Sequence, residues 1–407
     1  MQQFCKNCRW IDGFGGLTTQ INLRHFIVLA QDDLQDASDA GRSAVTSRKT
    51  GRETILRQSM ASLPVNDNQT RPVLTILSWG RCLFHPVPPR QASRRRRDEQ
   101  ASKLGAFRPD AARFNKMTLN SQEVLTPPRH AASVILLRDG PTGLEVLLLR
   151  RHGESDVLGG AYVFPGGKLD AADSEEELLS RLDREIPALH GQLGEPDIDA
   201  QKAAGLFVAA VRETFEEAGI LLAPGIGPQA AEALRARLRE GLSFGEALAE
   251  TPLRLAVSAM HPWSRWITPK VPSLTNKRFD TRFFAAEVPA GLQARHDEHE
   301  ATEAWWTTPR AALERYWERE IMLAPPQIQS LAHLARHPSV GSALAEAQTR
   351  RPPVIQPEPF EVDGIRVIAY PGDERHPVSV RAMPGPSRLS YRQGRFEPEG
   401  GFDAFFA

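Results

Sequence analysis

The 407-residue chain is long enough for one domain with appendages, and its 50 basic and 50 acidic side chains cancel. With 41% apolar and 25% charged residues it has the composition of a soluble globular protein, and no apolar run approaches the length of a membrane-spanning helix. No secretory leader is recognisable and three cysteines (Cys5, Cys8, Cys82) cannot build a disulfide framework, so neither a membrane nor a secreted protein is expected, and a cytoplasmic one is.

The neutrality hides two unlike parts. Residues 1–116 carry 19 Lys and Arg against 10 Asp and Glu, whereas 117–407 carry 31 against 40. The first part holds every cysteine and has no sustained hydrophobic period. Its stretch 87–97, VPPRQASRRRR, would bury too much charge to join a core. It is expected to be a disordered or spurious extension, with Met117 as the genuine start. Cys5 and Cys8 have zinc-ligand spacing, but no second pair follows to complete a tetrahedral site. Arg94–Arg97 could meet nucleic acid, a partner that is not expected for the chain as a whole.

From residue 130 the pattern is that of an α/β protein. Ala131–Leu137 and Leu144–Leu149 are apolar runs of strand length, joined through the turn residues Asp139, Gly140 and Gly143, which predicts a hairpin. A short strand, Ala161–Phe164, runs into Pro165-Gly166-Gly167. Ser174 and Glu177 then have capping-box spacing ahead of a Leu178, Leu179, Leu182, Ile186 stripe, a helix that Pro187 should end. A second helix follows, with Asp199 as N-cap, Ala203–Ala218 as body and Gly219 as stop.

That second helix carries the candidate chemistry. Glu213, Glu216 and Glu217 stand at i, i+3 and i+4, so three carboxylates share one face and repel one another. A hard divalent cation between them would reverse the sign. Arg212, four residues before Glu216, could hold that carboxylate in place. The opposite face, Phe207, Val208, Val211 and Phe215, is apolar and should pack on a sheet. The competing explanation for the glutamates is a solvated, salt-bridged helix face.

The loop before this helix decides between them. Phe164-Pro-Gly-Gly-Lys168 with Asp173, followed by Arg212, Glu213, Glu216, Glu217, Gly219 and Ile220, resembles the box of the Nudix hydrolase family, G-x5-E-x7-R-E-U-x-E-E-x-G-U, where U is aliphatic. Asp173 stands where the family has its first glutamate, Thr214 stands at an aliphatic position, and 38 residues rather than seven separate Asp173 from Arg212. This interrupted box is similar to that of the branch containing the peroxisomal coenzyme A diphosphatases. The stretches 266–269, 278–285 and 303–319 resemble the later strands and closing helix of the same branch.

The resemblance implies an α/β/α sandwich around a mixed sheet over 126–340, a helical insertion at 174–204 and a small C-terminal extension over 341–407. A hairpin turning at Asp363-Gly364 is predicted in the extension, and 325–348 is predicted helical. The resemblance further implies hydrolysis of a diphosphate bond in a nucleoside diphosphate joined to a second group. Coenzyme A or an acyl-CoA is the first choice, with NAD(H), ADP-ribose, nucleotide sugars and dinucleoside polyphosphates as alternatives. The implied metal is Mg²⁺ or Mn²⁺, held by Glu213, Glu216, Glu217 and the Gly166 carbonyl. Arg212 is assigned to orienting a carboxylate. The general base is left open between Glu213 and a distant glutamate, Glu298 or Glu300. Gly167, Arg151, Arg278 and Arg282 are the candidate substrate contacts. A homodimer is possible within this reading, as is a domain that binds a nucleotide without cleaving it, although the complete glutamate set favours the enzyme.

Overall fold

A computed structural model of the chain describes residues 119–155, 158–289, 291–295 and 301–407. The expectations for 1–116, and those for Glu298 and Glu300, lie outside these residues. The predicted hairpin forms from β1 (Arg129–Gly140) and β2 (Gly143–Arg151), with Gly140 opposite Gly143, so the turn is Pro141-Thr142 alone. The glycine loop passes through β3 (Tyr162–Val163), which pairs with β2, into β4 (Gly166–Lys168), which pairs antiparallel with β1.

The insertion departs from expectation. Ser174 lies in a 3-10 turn, Ala171–Ser174, whose capping box is made by Asp170 and Asp173 instead. Only one short turn of helix, α1 (Glu176–Leu179), follows. Pro187 does not end a helix but sits in the first turn of α2 (Ile186–Leu193), where its missing N–H is no loss. Next comes α3 (Ala200–Ala218), capped as predicted. The Asp199 carboxylate accepts from the Lys202 N–H at 3.0 Å, and Gly219 closes the helix at φ 68°.

After α4 (Pro228–Arg239) and α5 (Phe244–Ala249), β5 (His261–Ile267) and β6 (Phe279–Glu287) supply the central strands, β6 running parallel to β1 along its length. Then β7 (Ala301–Thr307) pairs with β2, and α6 (Pro309–Trp317) leads to α7 (Pro325–Leu334) and α8 (Val340–Thr349). The single helical stretch predicted over 325–348 is thus broken between Leu334 and Val340, around Pro338. Beyond it β8 (Val354–Ile355) joins β5 in parallel. The mixed sheet has the order β3-β2-β1-β6-β5-β8, with β4 added on β1 and β7 on β2.

Strand alternation sends β1 side chains into two cores. Val134 and Leu136 meet the α3 face, where Phe207 lies 4.6 Å from Phe284 between ring centres. Ile135 and Leu137 meet α6, α7 and α8 on the other side. The expected α/β/α sandwich is therefore present. The chain ends in a four-stranded antiparallel sheet made by β9 (Glu358–Val362), β10 (Ile365–Ala369), β11 (Arg388–Arg392) and β12 (Arg395–Glu397). Its hairpin turns at Asp363-Gly364 as predicted, with both residues at positive φ. Ile368, Tyr370, Leu389, Phe396 and Phe405 of this region belong to the same core as Ile135 and Leu137. No helix among the described residues is long and apolar enough to cross a membrane.

Candidate active site

The packing of α3 decides where its polar residues stand. Phe207, Val208, Val211 and Phe215 are wholly buried, which turns Arg212, Glu213, Glu216 and Glu217 toward the glycine loop. Gly166 is sterically required by the backbone, and Gly167 by the position of the Glu213 carboxylate. A Cβ on Gly166, at φ 155°, would lie 2.4 Å from the Ala132 carbonyl oxygen. One on Gly167 would lie 2.2 Å from Glu213 Oε1. The Gly166 N–H donates to Glu217 Oε2 at 2.9 Å, so loop and helix are joined by a hydrogen bond as well as by close approach.

Arg212 is the hub of the cluster. Its Nε and one terminal nitrogen grip Asp173 through both carboxylate oxygens, at 2.8 and 2.9 Å. The other terminal nitrogen reaches Glu213 Oε1 at 2.9 Å and Glu216 Oε2 at 3.1 Å. A further bond runs to the Lys168 carbonyl at 3.1 Å. Burial alone would lower the pKa of this guanidinium, but the Asp173 hydrogen bonds and the charges of Glu213 and Glu216 outweigh it and hold the group firmly charged. The expected Arg212–Glu216 contact is there, and the larger role, clasping Asp173, was not visible in the spacing because the two lie 39 residues apart. Asp173 is fully buried.

These groups border a cavity of about 810 Å³. Gly166, Gly167, Arg151, Arg212, Glu213, Glu216 and Glu217 all line it. Arg278 and Arg282 do not. The Arg278 guanidinium donates to the Thr268 and Thr126 carbonyls at 3.1 and 3.3 Å. Arg282, 2% exposed, donates to Glu195 through Nε at 2.9 Å and to the Asp280 carbonyl at 2.8 Å. It faces a separate cavity of about 330 Å³ bordered by the insertion. Strand alternation explains the difference: Arg282 points away from the side of β6 that carries Thr281 and Phe283 into the larger cavity. Two cavity-lining side chains, Ser273 and Gln327, had no signal in the sequence, since each lies in a loop or helix start without a motif.

The donor set fits a hard divalent cation. Asp170, Asp173, Glu213 and Glu216 all lie within 3.6 Å of the single Arg212 guanidinium, and Glu217 adds a fifth carboxylate nearby. One guanidinium leaves this cluster strongly negative, and oxygen-only ligation suits Mg²⁺ or Mn²⁺. The three helix glutamates and the glycine-loop backbone would hold the ion. A different group, His333, His337 and Glu346, brings ligand-type atoms within 4.8 Å of one another between α7 and α8.

Comparison with known proteins agrees with this geometry. Residues 127–334 match the family model of the NUDT19 Nudix domain. The chain is 32% identical over 276 residues to the human acyl-coenzyme A diphosphatase NUDT19, covering 57% of this chain and 72% of that protein. It is 30% identical over 277 residues to the Xenopus laevis protein of the same name, covering 57% and 71%. Among solved structures, a Nudix hydrolase from Alicyclobacillus acidocaldarius is 28% identical and covers 56% of this chain and 98% of that one, with a TM-score of 0.44. The matched span contains the glycine loop, Asp173 and the glutamate helix, and the chain belongs to the Nudix hydrolase family, with a domain of the NUDT19 type.

Proposed function

We propose that the protein is a metal-dependent pyrophosphohydrolase that cleaves the diphosphate of coenzyme A or an acyl-CoA, using Mg²⁺ or Mn²⁺. Water adds across the P–O–P linkage, giving 3′,5′-ADP and the corresponding 4′-phosphopantetheine. The observation that carries the reading is the convergence of Glu213, Glu216 and Glu217 on the Gly166-Gly167 loop at the edge of a large cavity, with Arg212 fixing the cluster. The acyl-CoA diphosphatases among its relatives support the choice of substrate.

When bound, the metal neutralises the anionic oxygens that shield phosphorus and acidifies a water. The chain's residues do the rest. Glu213, Glu216 and Glu217 would supply carboxylate oxygens to the ion. Arg212 fixes Glu213 and Glu216 in place, because its planar fork makes two ends of the cluster rigid at once. Gly167 leaves room for the Glu213 carboxylate, and Arg151 offers a positive charge on the cavity wall. Glu213 is the described candidate for holding the proton taken from the attacking water.

A mass-spectrometric hydrolysis screen tests this, with coenzyme A, acyl-CoAs, NADH, ADP-ribose and dinucleoside polyphosphates as substrates. The expected result is 3′,5′-ADP plus a phosphopantetheine, dependent on added metal and lost in Glu216→Gln. Silence from a folded protein that binds metal and nucleotide would favour a non-catalytic binding module. Cleavage of another member of the panel alone would replace the substrate.

A further inference from the structure

The cavity is longer than a diphosphate requires. Its floor follows one row of the sheet: Lys168, Ala131, Thr281 and Trp266 stand opposite one another on β4, β1, β6 and β5, and all four line it. Three interstrand spacings carry this row about 14 Å away from the glycine loop. The far wall is apolar and mixed in origin. Phe279 and Trp266 come from the sheet, Pro325 from the start of α7, and Pro357, Pro359 and Ile368 from the C-terminal extension.

Polar side chains also line the cavity, Thr268, Thr275 and Lys277 among them, and two further polar residues there are both buried and unpaired at a side-chain oxygen. Gln327, 7% exposed, and Ser273, 8% exposed, both line the cavity, and Gln327 Oε1 and Ser273 Oγ have no hydrogen-bonding partner among the described residues. Buried polar atoms in native proteins are almost always paired, so these two, with Arg151 Nε as the third orphan on the same lining, point to what enters the cavity. Gln327 Oε1 can only accept, and Ser273 Oγ can accept or donate. A slot of this length, with apolar stretches and unpaired buried acceptors, suits an extended chain carrying amide N–H groups.

Resting on the coenzyme A reading, we infer that Gln327 and Ser273 are specificity residues that hydrogen-bond the amides of the pantetheine arm, and that the C-terminal extension supplies the wall against which the arm lies. This makes the extension part of the binding site. The phosphates meet the glutamate cluster at one end, and the arm runs across β1 and β6 toward β5.

Steady-state kinetics on Gln327→Leu and Ser273→Ala in the full chain test the assignment, with pantetheine and 3′,5′-ADP as competing inhibitors. Each substitution is expected to raise KM for coenzyme A and the inhibition constant of pantetheine roughly 3- to 10-fold, the loss of one neutral hydrogen bond. The change in KM should exceed that in kcat, and inhibition by 3′,5′-ADP should not move. Neither variant should lose thermal stability, because no bond within the protein is broken. An unchanged KM, or equal weakening toward both inhibitors, overturns the assignment. If the wild type leaves coenzyme A intact, the hydrolytic reading fails, and calorimetric titration with pantetheine decides the arm site alone. Weaker binding by the variants would then sustain it, while equal binding, or none by any of the proteins, would overturn it.

Discussion

Arg212 draws its hold on the site from geometry that only a guanidinium can supply. It grips Asp173 with one edge and reaches Glu213 and Glu216 with the other. A lysine would keep the charge and lose the fork, so Arg212→Lys is expected to lower kcat/KM by roughly 10- to 100-fold, the usual effect of disturbing the partners of metal ligands. Asp173→Ala leaves buried guanidinium donors without acceptors and should also reduce unfolding free energy by about 1–3 kcal/mol in urea titration. Gly167→Ala should keep the fold but push the Glu213 carboxylate aside, which a metal titration would report as weakened binding of at least about 10-fold. At this scale the sequence was informative where side chains lie on one helix. The i, i+3, i+4 spacing of Glu213, Glu216 and Glu217 is local and survives folding unchanged. Arg282 carried no such information: whether a strand arginine faces the cavity depends on the register of β6 against β1, one residue of which reverses the answer.

At the scale of elements, the insertion is fastened at a second point. Glu195, just beyond α2, meets Arg282 of β6 and Arg265 of β5, while Asp280 pairs with the same two arginines. Burial would raise the Asp280 pKa, but hydrogen bonds from Arg265 and His130 and the charge of Arg282 pull it well below the ordinary carboxylate range. Removing one member of a buried set leaves the others uncompensated. Glu195→Ala is expected to destabilise the protein by about 3 kcal/mol in urea denaturation, with a smaller effect on kcat. The insertion was also where element prediction failed. A leucine stripe and a capping-box spacing predicted one helix through Ile186, whereas Pro187 opens the next helix and the capping box lies one turn earlier, at Asp170 and Asp173 of the 3-10 turn, leaving α1 without a side-chain cap. Proline fits both a helix end and a first turn, and sequence alone does not choose between them. The long α3, with its cap and glycine stop, was legible because its signals agree.

For the whole molecule, α7 and α8 are joined by the pair of buried His333 and half-buried Glu346, with the His333 ring packed on Trp263 of β5. Burial lowers the His333 pKa to about 4, against the opposing attraction of Glu346, whose carboxylate lies 2.8 Å away. The unfolded chain would take up a proton near pH 6.5, while the folded protein resists until about pH 4. Stability should therefore fall as pH drops through that interval and be insensitive to this group above it. Thermal midpoints measured from pH 7.5 to 4.5 should show the slope, and His333→Gln should flatten it. The shared core also means that a chain ending after Thr349 should not fold, since Ile135 and Leu137 would lose Ile368, Tyr370 and Phe405; loss of sharp thermal unfolding would register this. The Asp173–Arg212 clasp brings together the two ends of the 38 intervening residues, so the segment closes on itself with no net displacement, its last residues being the core-facing start of α3 and the rest an excursion. Loop-closure entropy grows only with the logarithm of length, and stretching the excursion from the seven residues of the usual box adds about 1.5 kcal/mol. That penalty is small enough for Glu195 and the buried leucines of the insertion to offset, which makes this junction a port where sequence can be gained or shed while the chemistry beside it stays in register.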